Sequence, residues 1–237
     1  MFSPVVTEFW DAQFSGPGAG PQGFAFVIDA DLREDRRVMV LDSGETVRAV
    51  LTPFLARAAG ISERGAPGAL TEADFRQALS EAGVALHGAD RLHYFLDADK
   101  GALLSEGGEI GVRQLTEGDA GVFDAFVSSA PEQDLDDAYV ELDHWAVFGA
   151  FAQGRLVSVA SAYPWGGARL ADIGVVTLPE FRGRGHARAV VRALCKYTAE
   201  QGYEPQYRCQ FDNEPSIALA KSAGLTYFGT WEVVSAD

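Results

Sequence analysis

The feature that most constrains this fold is a strand, a glycine-rich loop and a helix that follow one another between residues 170 and 199. In residues 170–177, Ile, Val and Thr alternate with Asp172, Gly174 and Val176, which predicts a strand that ends at Leu178-Pro179. A helix follows, because apolar residues recur at steps of three and four along one face. That face comprises Ala187, Val190, Val191, Leu194 and Thr198.

The loop between this strand and this helix predicts an anion-binding site. Backbone N–H groups at a helix start have no acceptor within the helix, and the helix dipole favours negative charge there. Glycines let the backbone approach a phosphate closely. We therefore expect a ligand that carries a pyrophosphate. A Walker loop is excluded because Gly-Lys-Ser/Thr is absent, and a Rossmann fingerprint counted from Gly183 fails at Arg188.

The residues of the loop resemble the acyl-CoA-binding motif of the GNAT superfamily of N-acetyltransferases, Arg/Gln-x-x-Gly-x-Gly/Ala. Arg182, Gly185 and Ala187 match it in order. The neighbouring Leu-Pro-Glu-Phe-Arg-Gly-Arg-Gly is similar to the family's strand-to-loop junction. Residues 206–211 supply the next strand, and residues 213–225 resemble the family's Asn-led helix. The resemblance covers about residues 109–237.

The resemblance implies an α/β (α+β) fold, in which a GNAT-like mixed central sheet is flanked by helices. We place it at residues 109–237, after a small α/β N-terminal domain at residues 1–108, because Ser-Glu-Gly-Gly at 105–108 reads as a boundary. In the first half, residues 24–29, 37–41 and 91–96 favour strands. Apolar spacing predicts one helix over 47–58 and another that begins at Thr71.

The resemblance also implies which residues bind acyl-CoA. Strand residues would contact the pantetheine arm, above all through the backbone of Val175 and Thr177, and amides of the loop would hold the pyrophosphate. Asn213 matches a residue that contacts pantetheine, with Ser216 one helical turn later; plain helix capping is the alternative for both. The candidate donor-binding residues are Val175, Val176, Thr177, Arg182, Gly183, Arg184, Gly185, His186, Ala187, Asn213 and Ser216.

Candidates for proton transfer are fewer. Asp172 is the first candidate for a general base because it lies on the strand that would border the thioester, and an exposed strand carboxylate is the alternative. His144 precedes a strand and is a second candidate, and an ordinary surface histidine is the alternative. Many family members have a tyrosine general acid seven residues after the Asn, where this chain has Ala220. Another group or water then protonates the thiolate; side chains that qualify are Tyr163, Tyr207, Cys209 and Tyr227.

These residues together predict an N-acetyltransferase. Direct attack by a primary amine of a small molecule or peptide on acetyl-CoA is expected, since no His or Lys arrangement argues for a covalent acyl-enzyme. A non-catalytic acyl-CoA-binding regulatory module is an alternative, because the usual acid is missing at Ala220. An acyltransferase that uses a longer acyl-CoA is another. The sequence leaves the acceptor and the oligomeric state open, and a homodimer is possible.

Net charge excludes several partners. Lys and Arg total 19 against 34 for Asp and Glu, a formal net charge of -15, which argues against nucleic acid and against anionic membrane surfaces. Residues 132–143 hold six acids and no cation. In the resembling family this segment borders the acceptor site, so it would attract a cationic amine; a solvated acidic helix is the alternative.

Metal binding, membrane insertion and export are not expected. Two cysteines and four scattered histidines give no metal-ligand spacing, so we expect no metal. No run of eighteen apolar residues is present, and residues 1–14 lack the basic and apolar regions of a signal peptide. We therefore expect a cytoplasmic protein.

Overall fold

The computed structural model describes residues 1–15, 23–61 and 70–234. The helices of this part of the chain are α1 Pro4–Gln13, α2 Pro53–Ala58, α3 Glu72–Glu81, α4 Asp97–Ser105, α5 Ala120–Val127, α6 Glu132–Ala138, α7 His186–Glu200 and α8 Glu214–Ser222. The strands are β1 Phe24–Ile28, β2 Val38–Asp42, β3 Val47–Leu51, β4 Asp90–Tyr94, β5 Val112–Gln114, β6 Ala146–Ala152, β7 Arg155–Trp165, β8 Leu170–Thr177, β9 Glu204–Gln210 and β10 Thr226–Val233. The expected α/β class with a mixed sheet is confirmed.

The chain divides into two compact units, each built from three stretches. The first unit comprises Met1–Val6, His93–Arg208 and Asn213–Thr226. The second comprises the described residues of Thr7–Leu92, Cys209–Asp212 and Tyr227–Asp237. The single domain boundary between residues 108 and 109 stays a prediction.

The second unit contains strands in the order β1-β3-β2-β10. β1 and β3 run parallel, whereas β2 is antiparallel to both β3 and β10. Phe24, Phe26 and Phe75 are almost fully buried in its core, and their rings lie within 6.4 Å of one another. Burial of these aromatic side chains supplies much of the stability of the unit.

One predicted helix of this unit is wrong. Residues 47–51 form β3, paired on both sides, and the helix α2 begins only at Pro53. Thr52 separates the two elements: its extended backbone suits the residue before a proline, and its hydroxyl accepts a hydrogen bond from the Leu55 amide at 3.4 Å. The spacing of apolar side chains in this buried strand resembles that of the apolar face of a helix, which explains the wrong prediction. The helix predicted from Thr71 is confirmed, with a capping box between Thr71 and Asp74.

The first unit contains the strand order β4-β9-β8-β7-β6-β5. Strands β5 to β8 are antiparallel, and β8 and β9 are parallel. Helix α6 covers one face: a Cβ built on Gly174 would lie 1.8 Å from the Ala138 carbonyl oxygen, so only glycine fits there. Helix α7 covers the opposite face, where Tyr197 packs against Phe148 at 5.7 Å between ring centroids. Strand β8 thus lies in a sheet covered on both faces.

Candidate functional site

Strand β8 extends beyond its pairing with β9. The two strands pair from Leu170↔Glu204 to Ile173↔Tyr207, and β8 continues to Thr177. The Leu178 amide donates to the Val157 carbonyl at 3.0 Å, which sets the alternation of backbone groups along β8. That alternation directs the backbone of Val176 towards β7. The backbone of Val175 and Thr177 faces the side on which pairing with β9 has ended.

Among the three strand residues predicted to bind the donor, Val176 therefore differs from its neighbours in the direction of its backbone groups. Its side chain is buried in the core beneath α5 and α6, and its backbone faces β7. Val175 offers its amide and carbonyl groups to the open side, and Thr177 offers its amide. The Thr177 carbonyl accepts a hydrogen bond from Arg182 Nε at 3.2 Å.

The loop after β8 depends on two glycines for its backbone conformation. Gly183 and Gly185 have φ values of 71° and 85°, which is the left-handed region that glycine adopts without strain. A Cβ added at either residue would have no neighbour within 4 Å, so the requirement is conformational and not steric. Gly185 is also the residue that precedes the first turn of α7, and it has no side chain with which to cap that turn.

The amides of this loop are open to an anion. In the described part of the chain, no protein oxygen accepts a hydrogen bond from the amides of Gly183 to Ala187, and the first helical bond runs from Ala189 to the Gly185 carbonyl. No acidic residue lies in the first turn of α7. Arg184 is exposed and its guanidinium lies 5.4 Å from the Phe181 ring centroid. Aligned free amides beside a cation form the environment that a phosphate prefers.

The side chain of Arg182 links the loop to α6. One nitrogen, Nη2, pairs with Asp134 Oδ2, while Nε binds the Thr177 carbonyl. About half of the Arg182 side chain is exposed. Arg182 therefore joins the end of β8 to the acidic segment, in addition to its place in the predicted motif.

Asn213 and Ser216 have structural roles that the sequence left open. Asn213 caps α8, because its Oδ1 accepts from the Ser216 amide at 3.1 Å. The Ser216 hydroxyl lies 2.7 Å from the Tyr207 hydroxyl. Contact of either residue with a ligand stays a prediction. Ala220, at the position of the missing acid, is a fully buried methyl group in α8.

Asp172 is a buried carboxylate that accepts hydrogen bonds on both oxygens from Gln206, Arg208 and Tyr163. Its Oδ1 accepts from Gln206 Nε2 at 2.8 Å and from Arg208 Nε at 3.0 Å. Its Oδ2 accepts from the Tyr163 hydroxyl at 3.0 Å and from Arg208 Nη2 at 2.7 Å. Asp172 is only 5% exposed, so it is not the exposed strand residue of the alternative interpretation. Because both oxygens are engaged, this geometry favours an anchor over a general base.

The partners of Asp172 are residues that sequence reasoning did not assign to it. Gln206 lies opposite Asp172 in the parallel pairing, and Arg208 follows two residues later on the same face of β9. Burial and the nearby Asp172 carboxylate raise the pKa of Tyr163 to about 12, so its hydroxyl stays protonated and remains a donor. The local signal in β9 is the alternation of polar residues along the strand, at Glu204, Gln206, Arg208 and Gln210.

The remaining candidates for thiolate protonation are separately engaged. Cys209 is buried, and the Tyr227 hydroxyl lies 2.6 Å from that of Thr230. The acidic segment of residues 132–143 is mostly exposed, which suits a solvated helix; its predicted attraction for a cationic acceptor stays a prediction. Across residues 1–15, 23–61 and 70–234, no cluster of three or more His, Cys, Asp or Glu side chains has a metal-binding arrangement. The helices in those ranges include none that is both long and apolar enough to cross a bilayer.

Comparison with known proteins agrees with this architecture. Residues 120–225 match the family model described as the acetyltransferase (GNAT) family. Among 116 matching chains of solved structures, a GNAT-family acetyltransferase from Colwellia psychrerythraea is 19% identical at a TM-score of 0.53, over 79% of this chain and 76% of that one. A GNAT-family protein from Novosphingobium aromaticivorans is 20% identical at a TM-score of 0.50, over 65% and 67% respectively. No curated protein matches the chain significantly.

The C-terminal region of the chain matches the GNAT family, as the residues of the loop had predicted. The family match spans α5 to α8, which includes the open end of β8 and the loop that follows it. This match supports acyl transfer as the general activity.

Proposed function

We propose that the protein is an acetyl-CoA-dependent N-acetyltransferase of the cytoplasm, which acetylates a primary amine of a small molecule or peptide without a metal ion. The observation that carries this proposal is that open backbone groups occur at two successive places, first on β8 at Val175 and the Thr177 amide and then in the loop at 183–187. An extended pantetheine arm followed by a pyrophosphate has the same order of chemistry: amides first, then anionic oxygens.

The proposed donor site uses mostly main-chain groups. Val175 and Thr177 bind the pantetheine amides as an added strand would, and the amides of residues 183–187 bind the pyrophosphate. Asn213 and Ser216 line the pantetheine side. The chemistry is direct: the amine nitrogen attacks the thioester carbonyl carbon, a C–N bond forms, the C–S bond breaks, and CoA leaves as its thiolate. Rate enhancement comes mainly from holding the reactants in line and polarising the carbonyl.

For Asp172 we propose a positioning role instead of the predicted base role. Its ion pair with Arg208 and its hydrogen bond to Gln206 hold β8 and β9 together just before their pairing ends. Because the two strands then separate at a fixed place, the open backbone groups of Val175 and Thr177 stay aligned with the donor. Since Ala220 provides no acid, the thiolate takes its proton from solvent.

We keep the two-part organisation of the chain as part of the proposal: residues 109–237 carry acyl transfer, and residues 1–108 form a small α/β domain. An acyl-CoA-binding module without turnover is the second candidate function. It is favoured by the buried methyl group of Ala220 at the position of the usual acid. Binding alone does not separate it from the enzyme.

Two measurements test the proposal. Thermal melts with acetyl-CoA, with CoA and with ATP as a control nucleotide should show stabilisation by both CoA species; a ligand at 100 times its Kd adds about 2.7 kcal/mol. The absence of any shift with acetyl-CoA would refute both candidate functions. Release of free CoA is then followed with polyamines, aminoglycosides, amino acids and peptides. Amine-dependent release supports the enzyme, and binding without release supports the module.

A further inference from the structure

His144 lies beside the point at which β8 and β9 stop pairing. The first residue of β8 past that pairing is Gly174, and its direct cross-strand neighbour on β7 is Ser161. Adjacent strands are about 4.8 Å apart. His144 Nδ1 lies 2.8 Å from the hydroxyl of Ser161. The imidazole is therefore held one strand away from the open end of β8.

The imidazole is also on the face of the sheet that α6 covers. Residues directly opposite each other in a sheet point to the same face, and Gly174 faces the Ala138 carbonyl at the end of α6. Ser161 consequently points towards α6, and so does the ring that it binds. Asp172, two residues before Gly174, shares this face.

Two tyrosines pack against the ring and, at 5.6 Å between their centroids, against each other. The centroid of His144 lies 4.9 Å from that of Tyr139 and 5.0 Å from that of Tyr163. Tyr139 ends α6 with φ of 48°, a conformation that is uncommon for a residue with a side chain and occurs often at functional sites. The Tyr163 hydroxyl is bound to Asp172, which fixes that ring in turn.

The second ring nitrogen of His144 is available. In the described chain Nε2 makes no hydrogen bond, and it is not among the side-chain atoms that are both buried and unpaired. Glu141 Oε2 lies 3.8 Å from Nε2, close enough to stabilise a positive charge on the ring. Nε2 thus makes no hydrogen bond within the described chain and has a nearby carboxylate, in a side chain that is 8% exposed, whereas both oxygens of Asp172 are occupied.

We propose that His144 is the general base of the acetyl transfer, with Ser161 and Glu141 as its positioning residues. In the required tautomer Nδ1–H donates to Ser161 Oγ, and the Nε2 lone pair accepts the proton from the attacking amine nitrogen. The C–N bond forms as that proton leaves, the C–S bond breaks, and the imidazolium later returns its proton to solvent. The inference rests on the proposed function.

The charged and titratable groups around the ring are consistent with this role. Burial lowers the pKa of His144 below its ordinary value of 6.5, against the raising effect of Glu141 and then Asp143. Tyr139 faces the ring from the end of α6, and Tyr163 faces it from β7 with its hydroxyl tied to the Asp172 and Arg208 pair. The imidazole is therefore mostly neutral at pH 7, which is the form that accepts a proton.

The decisive variant is His144→Asn, because the asparagine amide can keep the bond to Ser161 while Nε2 is lost. We expect kcat to fall about 100-fold or more, the range of a lost general base, with the Kd of acetyl-CoA unchanged. His87→Asn, at an exposed histidine of the other unit, is the matched control and should leave kcat unchanged. A thermal melt of each variant verifies that it is folded.

A pH profile separates a base from a structural histidine. Wild-type kcat/KM should lose activity at acid pH with an apparent pKa below 6.5, and this limb should move to still lower pH in Glu141→Gln, because the carboxylate that favours the imidazolium is gone. Two acceptor amines of different pKa distinguish this limb from titration of the substrate. Undiminished kcat in His144→Asn, or an acid limb that Glu141→Gln leaves in place, would overturn the assignment. If wild-type protein releases no CoA with any amine, the proposed function itself fails.

Discussion

Two regions of the molecule differ in whether their hydrogen-bonding groups already have protein partners. They are the loop between β8 and α7, and the carboxylate of Asp172. In the described structure the amides of residues 183–187 find no protein acceptor, whereas both oxygens of Asp172 accept hydrogen bonds within a buried cluster. Both lie on or directly after the same strand. An acidic residue on the strand beside a candidate site is therefore not catalytic for that reason alone. Polar groups without a protein hydrogen-bond partner indicate where a ligand fits. Polar groups that already have partners indicate which contacts stabilise the fold.

The strongest test of this contrast is Asp172→Ala. The substitution leaves the partly buried Arg208 guanidinium without its carboxylate, and loss of one partner of such a pair costs about 3 kcal/mol or more. Glu180→Ala is the control, because Glu180 and Arg155 form a pair at 3.0 Å in which each side chain is about half exposed. Its loss should cost less than about 1 kcal/mol. Urea denaturation measures both, and equal losses would show that Asp172 is not an anchor.

The next test concerns the loop, through Gly185→Val. Valine is strained at φ of 85°, by about 1–3 kcal/mol, and relief of that strain rotates the amides at the start of α7. We expect acetyl-CoA to bind at least about 10-fold more weakly, which corresponds to 1.4 kcal/mol. Gly154→Val in the turn between β6 and β7 is matched, since Gly154 has φ of 79° and equally open surroundings. Calorimetry should find its affinity unchanged; a similar loss in both variants would remove the special role of the loop.

The smallest expected effect is at Glu106, a carboxylate that is paired like Asp172 but is much more exposed. Its hydrogen bond and ion pair with Arg192 lower its pKa from the ordinary 4.5, with weaker help from Arg188 and Lys196. A lowered carboxylate pKa stabilises the fold above that ordinary value, and the stabilisation disappears as pH falls through the folded-state value. Because the Glu106 side chain is 42% exposed, Glu106→Gln should cost under about 1 kcal/mol at pH 7.

The pH dependence of that cost is the informative part. Denaturation of wild type and Glu106→Gln at pH 7 and again well below pH 4 should show a difference that shrinks towards zero in acid. A difference that is independent of pH would assign the effect to packing and not to charge.

Local signals explain what could be predicted from the sequence. The strand from Leu170 and the helix after the glycine-rich loop follow from short-range alternation, a proline and two glycines; the structure begins the strand at Leu170 and the helix at His186, which the sequence had placed in the loop. The same reasoning wrongly predicted one helix over residues 47–58. Pairing of β3 with β1 and β2 is a long-range effect that overrides apolar spacing.

The chemistry of the candidate site was harder to predict for the same reason. Asp172 becomes an anchor through Gln206 and Arg208, which lie 34 and 36 residues further along the chain. His144 gains its orientation from Ser161, 17 residues away. No local pattern records such pairings, because strand register brings these side chains together.

Each unit is built from stretches that alternate along the sequence, which has a practical consequence for cutting the chain. Strand β10, near the C-terminus, pairs along Thr230 to Val233 with β2, which lies before residue 43. A fragment that starts at residue 109 would keep β10 and lose β2, so a row of backbone groups would be bare along a strand that carries Trp231. Exposed strand edges of this kind recruit other chains. A proteolytic nick or a cloning boundary near residue 108 should therefore produce aggregation rather than a free-standing catalytic fragment.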